Sequence, residues 1–337
     1  MSQEPNELNK SPIAIRWRMG HVCMGYFLLI LVSQVAAILL DVVFSLLVPE
    51  FTQIGVYSYI ISAVSIYGFG TLAAWLALRH VDTVQIEKHR LVPSAFLKLM
   101  MIAFGLMIVG SLLGNFVNDI INAVTGVRSS NYVSDLILDS EIPVAFIYTV
   151  VLGPIVEELI CRKMLMRRAA WLGQKGAVIF CGLIFALFHG NLYQFFYAFG
   201  VGMLLGYVYI RTGRLSYTIV IHMVMNLIGG FLPLVFMRAI PELATAITPE
   251  ELMAAFAAPE KAMVFGLYML FVLAEYAFGI AGIVLLIGNY RKLWRGLDDW
   301  NVPRGERLRT VFRHPGGVLL IVASIAVMVF TYVMSSL

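Results

Sequence analysis

The polar residues best suited to chemistry cluster between positions 157 and 226 of the 337-residue chain. They are Glu157, Glu158, His189, His222 and Asn226. A carboxylate and a histidine together can hold and deprotonate a water molecule, as general-base catalysis requires. A second histidine and an asparagine can donate hydrogen bonds to a developing oxyanion. This set is therefore suited to hydrolysis of an amide bond by an activated water molecule.

The same residue types also suit a metal site. Glu157, His189 and His222 are candidate ligands for a divalent metal such as zinc, which would then activate the water itself. The usual hydrolase signatures do not decide the matter. The chain has no Gly-x-Ser-x-Gly elbow and no His-Glu-x-x-His pair, and His189 is followed by Gly-Asn-Leu-Tyr. The residues alone leave open whether the site works without a cofactor or with a metal.

Helical spacing predicts which of these side chains share a face. Residues four apart lie on the same side of a helix, whereas neighbours point about 100° apart. Glu158 and Arg162 are thus placed to form an ion pair, which leaves Glu157 without a partner on its own helix. Phe185 shares a face with His189, and His222 shares one with Asn226.

The composition identifies the solvent in which this chain folds. Hydrophobic residues make up 60% and charged residues 13% of the chain, against averages of about 45–50% and about 25%. A water-soluble globule lacks the charges to cover that much apolar surface, and disorder and coiled coils are excluded as well. The class that remains is a polytopic membrane protein. Cys23, Cys161 and Cys181 lie in or beside apolar stretches and are interpreted as packing residues rather than disulfide partners.

Nine apolar stretches predict an all-α transmembrane helix bundle. The fifth is short and joins the sixth at Gly190-Asn191, so the pair is either a helical hairpin or a broken helix. The Gly200–Gly206 segment lies inside a span, where small residues favour close helix packing over a nucleotide loop. The stretches are approximately 22–48, 54–78, 96–118, 143–166, 176–190, 192–210, 215–237, 262–289 and 317–335.

The basic residues predict the orientation of the bundle. With the N-terminus inside, 21 of the 24 Lys and Arg residues fall in inner segments, as the positive-inside rule requires. The net charge of +4 is thus a topology signal that also suits contact with anionic lipid, and no nucleic-acid partner is predicted. No transit peptide is visible, so a bacterial cell membrane is expected, with an endoplasmic reticulum membrane as the eukaryotic alternative.

The polar residues are predicted to lie at a similar depth in the membrane. At about 1.5 Å per residue, Glu157, His189 and His222 lie roughly 12–20 Å from the basic ends of their spans, near the middle of a core about 30 Å thick. Two other carboxyl groups fall inside spans. Asp41 lies near the outer end of the first span, and Glu275 lies near the middle of the eighth. A carboxyl group at that depth must be protonated, paired or in a wet cavity, and it can also mark an ion path.

The sequence around these residues resembles the CPBP intramembrane proteases, also known as the CAAX-protease, bacteriocin-processing or Abi family. Glu157-Glu-Leu-Ile-Cys-Arg162 is similar to its EExxxR motif, Phe185-Ala-Leu-Phe-His189 to its FxxxH motif, and His222-Met-Val-Met-Asn226 to its HxxxN motif. The three occur in the family's order, and the resemblance covers about residues 141–237. Cys161 and Lys163 replace the more usual Phe and Gly around the arginine.

The resemblance implies a role for each residue of the site. Glu157 would activate the water with help from His189, and His222 with Asn226 would form the oxyanion site. Glu158, Arg162 and Phe185 would support them. The family has been described both as metalloproteases and as glutamate-dependent proteases. We favour the metal-free mechanism, because metal ligation would consume Glu157, the expected base.

The function predicted from these observations is intramembrane endopeptidase activity on a membrane-bound protein or peptide, either lipidated or of the leader type. The alternative is a non-catalytic membrane immunity protein, scaffold or transporter that keeps the fold. The oligomeric state is not predicted. The expected organisation is a cytosolic tail (1–21), N-terminal transmembrane helices (22–140), a catalytic core (141–237) and a C-terminal region (238–337). The last contains a short interfacial helix within 241–261, two further spans and a basic inner loop.

Overall fold

The protein is a helical bundle in a computed structural model. The structure describes residues 11–127, 129, 131–241, 248, 250 and 257–336, and it contains helices and no strands within those ranges. The predicted all-α class is therefore confirmed. The predicted interfacial helix in 241–261 lies largely outside the described residues.

Nine principal helices form the bundle in the ranges that the structure describes. Eight of them are long and apolar enough to cross a membrane, whereas the fifth has 15 residues and falls short of that length. The chain is thus an integral multi-pass membrane protein. The helices are α1 (Pro12–Leu47), α2 (Tyr57–Leu78), α3 (Pro93–Thr125), α4 (Ile142–Leu172), α5 (Gln174–Phe188), α6 (Leu192–Thr212), α7 (Leu215–Ala239), α8 (Pro259–Arg295) and α9 (Pro315–Met334).

Local sequence fixes where these helices begin and end. Pro occupies the first turn of α1, α3, α4, α8 and α9, where its missing N–H is not needed and its φ is already helical. The Ser11 side chain caps α1 by accepting a hydrogen bond from the Ala14 amide at 3.2 Å. Helix α3 ends at Thr125, with Gly126 in the left-handed region at φ 71°, the conformation that commonly ends a helix at glycine.

The segments predicted to lie on the inner side meet at one end of the bundle, which we call the basic end. Backbone and side-chain contacts join the start of α1, the α2–α3 loop, the α4–α5 turn, the end of α6 and the loop after α8. The contacts are Arg18–Asp82 at 3.2 Å, Val84–Arg167 at 2.7 Å, His89–Thr212 at 2.9 Å, Lys175–Asp298 at 3.2 Å and Arg16–Glu306 at 3.0 Å. These five segments therefore share one side of the molecule.

The predicted outer segments meet at the opposite end. Tyr332 at the end of α9 donates to Asn122 of α3 at 2.9 Å, and Tyr193 at the start of α6 donates to the Ser129 carbonyl at 2.8 Å. Since α4 ends at the basic end and α6 begins at the other, α5 must carry the chain between them. Helix α5 thus connects the two ends of the bundle, although it is too short to count among the eight candidate spans. Eight of the nine predicted spans are therefore confirmed as candidates, and the ninth pass and the orientation stay predictions.

Helices α5 and α6 form a tight antiparallel hairpin. Gly190 makes the turn with φ 63°, a conformation that favours glycine. Along the hairpin, a Cβ on Gly202 would lie 3.1 Å from the Cα of Gly182, and one on Gly206 would lie 3.7 Å from the Cα of Val178. This register confirms that the glycines of 200–206 allow close helix packing. It also confirms the hairpin alternative for the fifth and sixth spans.

The remaining helices pack around this hairpin and against one another. Helix α6 packs on α5 and α3, α8 packs on α3, and α1 packs against α2 and α9. Helix α4 packs against both α5 and α7, and the Phe185 ring of α5 contacts the His222 ring of α7, so the three helices that carry the sequence motifs come together. Cys23, Cys161 and Cys181 are free and buried, as their apolar surroundings predict.

Candidate active site

Helix α4 supplies two adjacent carboxylates and a guanidinium. Glu158 and Arg162 lie one turn apart, and Arg162 Nε is 2.9 Å from Glu158 Oε2, with both side chains fully buried. This is the ion pair predicted from their spacing. A buried charge is tolerated only when it is paired, so the pair fixes the rotamer of Glu158 and turns its second oxygen towards α7.

His222 on α7 bridges the two glutamates. Its Nδ1 lies 3.2 Å from Glu158 Oε1, and its Nε2 lies 3.8 Å from Glu157 Oε2. A carboxylate oxygen only accepts hydrogen bonds, so Nδ1 carries the proton and donates it to Glu158. The Arg162–Glu158–His222 chain therefore aims the second ring nitrogen at Glu157.

Glu157 is more exposed than Glu158 and has fewer close partners. Its side chain is 18% exposed, whereas that of Glu158 is fully buried and held by Arg162 and His222. Neighbouring positions on a helix point in different directions, which explains why only one of the two carboxylates faces open space. Glu157 is thus the carboxylate that a small molecule can reach.

Tyr67 on α2 makes a contact that sequence reasoning missed. Its hydroxyl donates a hydrogen bond to Glu157 Oε1 at 3.3 Å, and its ring stacks on Tyr148 of α4 with centroids 5.9 Å apart. Tyr67 lies in a π-helical stretch, Ala63–Gly70, a feature often found at functional sites. It is one of 15 tyrosines in an apolar-rich chain, and nothing in its spacing singles it out.

His189 is placed by the end of α5. Its Nδ1 lies 2.7 Å from the Phe185 carbonyl oxygen, which only accepts, so Nδ1 is the donor and Nε2 is left with a lone pair in the neutral ring. The Phe185 ring meets His189 edge to face at 4.7 Å and His222 at 5.5 Å. His189 also interacts electrostatically with Glu157 and His222. Phe185 therefore sets the spacing of the two imidazoles.

Asn226 connects α7 to α4 one turn beyond His222. Its amide nitrogen donates to the Thr149 carbonyl at 2.9 Å, which uses one of its two N–H groups. It begins a π-helical stretch, Asn226–Phe231, and Thr149 lies in another, Ile147–Leu152. The widened turns free backbone carbonyls from the regular helical ladder, and Thr149 offers its carbonyl to Asn226.

The Arg162 guanidinium extends the support to Phe185. Its Cζ lies 5.1 Å from the centroid of the Phe185 ring, within range of a cation–π contact. Among the described residues its two Nη atoms are buried and have no hydrogen-bond acceptor. Arg162 thus couples the carboxylate that holds His222 to the ring that lies between the two histidines.

The donors expected for a metal do not assemble as a ligand set. Both histidines anchor Nδ1 on an oxygen, as metal-binding histidines commonly do. However, no three His, Cys, Asp or Glu side chains in the described parts of the chain come close enough to hold an ion. The residues fit hydrogen bonding to a polar reactant better than they fit a tetrahedral metal.

The other two intramembrane carboxyl groups lie apart from this cluster. Asp41 accepts a hydrogen bond from Tyr57 at 2.8 Å at the end opposite the basic end, which gives it a local structural partner. Glu275 faces α7, since a Cβ on Gly229 would lie 3.5 Å from its Oε1. Glu275 therefore lies beside the helix that carries His222 and Asn226.

The segment that carries the three motifs is similar to a known protein family. Residues 139–228 match the model of the family described as type II CAAX prenyl endopeptidase Rce1-like. The matched segment contains all three motifs, so the resemblance to CPBP proteases is confirmed there. Tyr67 and Glu275 lie outside it. No curated protein and no solved structure matches the chain.

Proposed function

We propose that this protein is an intramembrane endopeptidase that hydrolyses a peptide bond with a water molecule activated by Glu157. The observation that carries the proposal is the difference between the two adjacent carboxylates. Glu158 is buried and engaged by Arg162 and His222, whereas Glu157 is reachable and faces the Nε2 of His222. A positioned carboxylate with access to a reactant is what a general base requires.

Glu157 and His189 hold the nucleophilic water in this proposal. Glu157 accepts one hydrogen bond from the water through Oε2, because Tyr67 already occupies Oε1. His189 accepts the other through Nε2, because its Nδ1 proton is donated to the Phe185 carbonyl. Two acceptors orient the water so that its lone pair faces the substrate carbonyl carbon.

His222 and Asn226 stabilise the negative charge that develops on the substrate oxygen. The Glu158 carboxylate accepts from Nδ1 of His222 and so fixes the ring with Nε2 towards Glu157, as a buried carboxylate does for a catalytic histidine. A proton on Nε2 is what the proposal requires for His222 to donate a hydrogen bond towards the oxyanion. The second N–H of Asn226 is the other donor, since the first is used by Thr149.

Glu157 both accepts and returns the proton that is transferred in the reaction. The water oxygen forms a bond to the carbonyl carbon while one water proton passes to the Glu157 carboxylate. The tetrahedral intermediate then breaks its C–N bond, and the protonated Glu157 returns that proton to the leaving amine. The products are a carboxylic acid and an amine, and no oxidant, reductant or metal is consumed.

The substrate class proposed is a membrane-bound polypeptide. The family name attached to residues 139–228 indicates a prenylated CAAX sequence, and the intramembrane depth of the site suits a substrate held in the bilayer by a lipid or an apolar segment. Residues 141–237 form the proposed catalytic core. The flanking units proposed are 1–21, 22–140 and 238–337. The second of these contains α2, which contributes Tyr67 to the site.

Glu157→Gln is the decisive variant, with Glu141→Gln as its matched control. Glu141 lies immediately before the same helix and is exposed, so the control makes the same carboxylate-to-amide change away from the site. Membrane peptidomes are compared between cells that carry wild type and each variant at equal abundance. Purified proteins in lipid vesicles are then assayed with a farnesylated CAAX peptide and a signal-type leader peptide.

We expect Glu157→Gln to lower cleavage at least about 1,000-fold, as loss of the group that activates the nucleophile should. Glu141→Gln should retain wild-type cleavage. Which peptide is cut identifies the substrate class. Cleavage by wild type that Glu157→Gln leaves intact would contradict the assignment of Glu157. Peptidomes that do not differ, together with no cleavage of either peptide, would instead favour the immunity, scaffold or transport alternative.

A further inference from the structure

A cavity of about 1320 Å³ opens at the basic end of the bundle, apart from the candidate active site. It lies between the loop at 84–92 and the facing ends of α3, α6 and α8, and none of the proposed catalytic residues lines it. The sequence motifs do not include its lining residues either. The cavity is therefore a second site that the proposed hydrolysis leaves unused.

Each of the three helices turns one apolar face to the cavity. Helix α3 presents Leu99 and Ile102, α6 presents Val208, and α8 presents Leu285 and Leu293. At about 1.5 Å per residue, the eleven intervals from Leu285 to Gly296 span roughly 16 Å. That length is about half of a hydrocarbon core about 30 Å thick, so the cavity has the depth of one lipid leaflet along α8.

The mouth of the cavity is basic. Its lining contains four Lys or Arg side chains, namely Arg90, Lys98, Arg211 and Lys292, against the carboxylates of Glu87 and Asp298. Glu87 lies 3.4 Å from His89. Within the described ranges, Arg90, Lys98 and Lys292 form no ion pair. The positive charges at the mouth are thus free to meet an anion.

We propose that this cavity binds an anionic glycerophospholipid from the leaflet at the basic end. A phosphate group would contact Lys98, Lys292 and Arg90 at the mouth, and acyl chains would lie along α3, α6 and α8. Basic pockets between transmembrane helices are a recurrent way to bind such headgroups. The apolar wall distinguishes this ligand from free phosphate, and the basic mouth disfavours a cationic peptide.

The test uses the full-length protein and a matched pair of double variants. Lys98→Gln/Lys292→Gln removes two cations from the cavity. Lys88→Gln/Arg291→Gln removes two exposed cations from the α2–α3 loop and the end of α8 that do not line the cavity. Native mass spectrometry in detergent measures binding of phosphatidylglycerol and phosphatidylcholine. Glycerol phosphate and inorganic phosphate are added as competitors.

The cavity variant should bind phosphatidylglycerol about 30-fold more weakly than wild type, since each cation near a membrane surface contributes about 1 kcal/mol. The control variant should match wild type, and phosphatidylcholine should bind weakly to all three. Equal losses in both double variants would overturn the proposal in favour of general surface charge. Equal binding of the two lipids would overturn it as well. Full displacement by millimolar inorganic phosphate or glycerol phosphate would replace the lipid with a simple phosphate site.

Discussion

The hydroxyl of Tyr67 donates a hydrogen bond to Oε1 of Glu157 at 3.3 Å, across 90 positions of sequence. The bond joins α2, which lies outside the segment that matches the CAAX endopeptidase family, to the carboxylate proposed as the general base. Because it occupies one carboxylate oxygen, it directs the other towards His222. The geometry points to Tyr67 as a positioning residue for Glu157.

Tyr67→Phe should lower kcat about 10- to 100-fold and leave KM nearly unchanged. The substitution keeps the ring and its stacking on Tyr148 but removes a hydrogen bond to a charged group, which is worth about 1.5–3 kcal/mol. Tyr67 contacts the base in this arrangement, so substrate binding should not suffer. The measurement is steady-state cleavage of the peptide substrate by purified protein in vesicles.

Tyr57→Phe is the control for that experiment. Tyr57 lies on the same helix and also donates to a carboxylate, Asp41 at 2.8 Å, but away from the active-site cluster. Its removal should leave kcat and KM at wild-type values. Equal losses in the two variants would mean that Tyr67 acts only through the packing of α2.

The buried Glu158–Arg162 pair should dominate the stability of the catalytic core. Arg162→Met leaves Glu158 charged and buried without its guanidinium partner, and breaking such a pair costs about 3–5 kcal/mol. We expect low abundance and an early thermal transition in detergent. Glu158→Gln/Arg162→Met should regain much of the stability, because it removes both charges, yet it should remain inactive because His222 loses the negative charge beside its Nδ1.

Arg16→Gln is the matched control for the buried pair. It breaks an ion pair with Glu306 whose side chains are 32% and 43% exposed, and such surface pairs contribute about 0–1 kcal/mol. The thermal transition of Arg16→Gln should therefore stay close to wild type. A double variant at Glu158 and Arg162 as unstable as Arg162→Met alone would show that packing, and not charge, explains the loss.

Much of this site could be predicted from sequence because its contacts are local to helices. The pair of Glu158 with Arg162 and the shared face of Phe185 and His189 follow from four-residue spacing. The bridge from His222 to both glutamates could not be predicted, since it depends on how α7 packs on α4. Tyr67 could not be found either, because an aromatic residue in an apolar helix looks like ordinary core.

Helix boundaries show where hydropathy stops being informative. The first span is predicted at 22–48, but α1 begins at Pro12. The additional turns carry Arg16 and Arg18, which pair with Glu306 and Asp82 at the basic end. Charged residues can continue a helix beyond the hydrocarbon core when tertiary partners neutralise them. Hydropathy alone cannot predict that continuation.

Gly202→Val should destabilise the α5–α6 hairpin and impair catalysis together. A Cβ at position 202 would lie 3.0 Å from Phe185 Cδ1 and 3.1 Å from the Cα of Gly182, and the backbone atom has little room to move. Gly266→Val on α8 is the control, because nothing lies within 4 Å of its Cβ position. The thermal transition should fall for Gly202→Val by several degrees, as expected for overpacking that costs about 1–3 kcal/mol. Equal transitions for the two variants would contradict the tight hairpin.

Treatment with a chelator should leave peptide cleavage intact. The described His, Cys, Asp and Glu residues form no group that could hold an ion, while Glu157 already has Tyr67 on one oxygen and His222 facing the other. Purified protein is treated with EDTA and with 1,10-phenanthroline, its metal content is measured by inductively coupled plasma mass spectrometry, and cleavage is assayed before and after. We expect less than about one metal ion per ten molecules and a rate within twofold of the untreated protein, because the Glu157 carboxylate itself accepts the water proton. A loss of activity that stoichiometric zinc restores would instead assign Glu157, His189 and His222 as ligands that close around the ion when it binds.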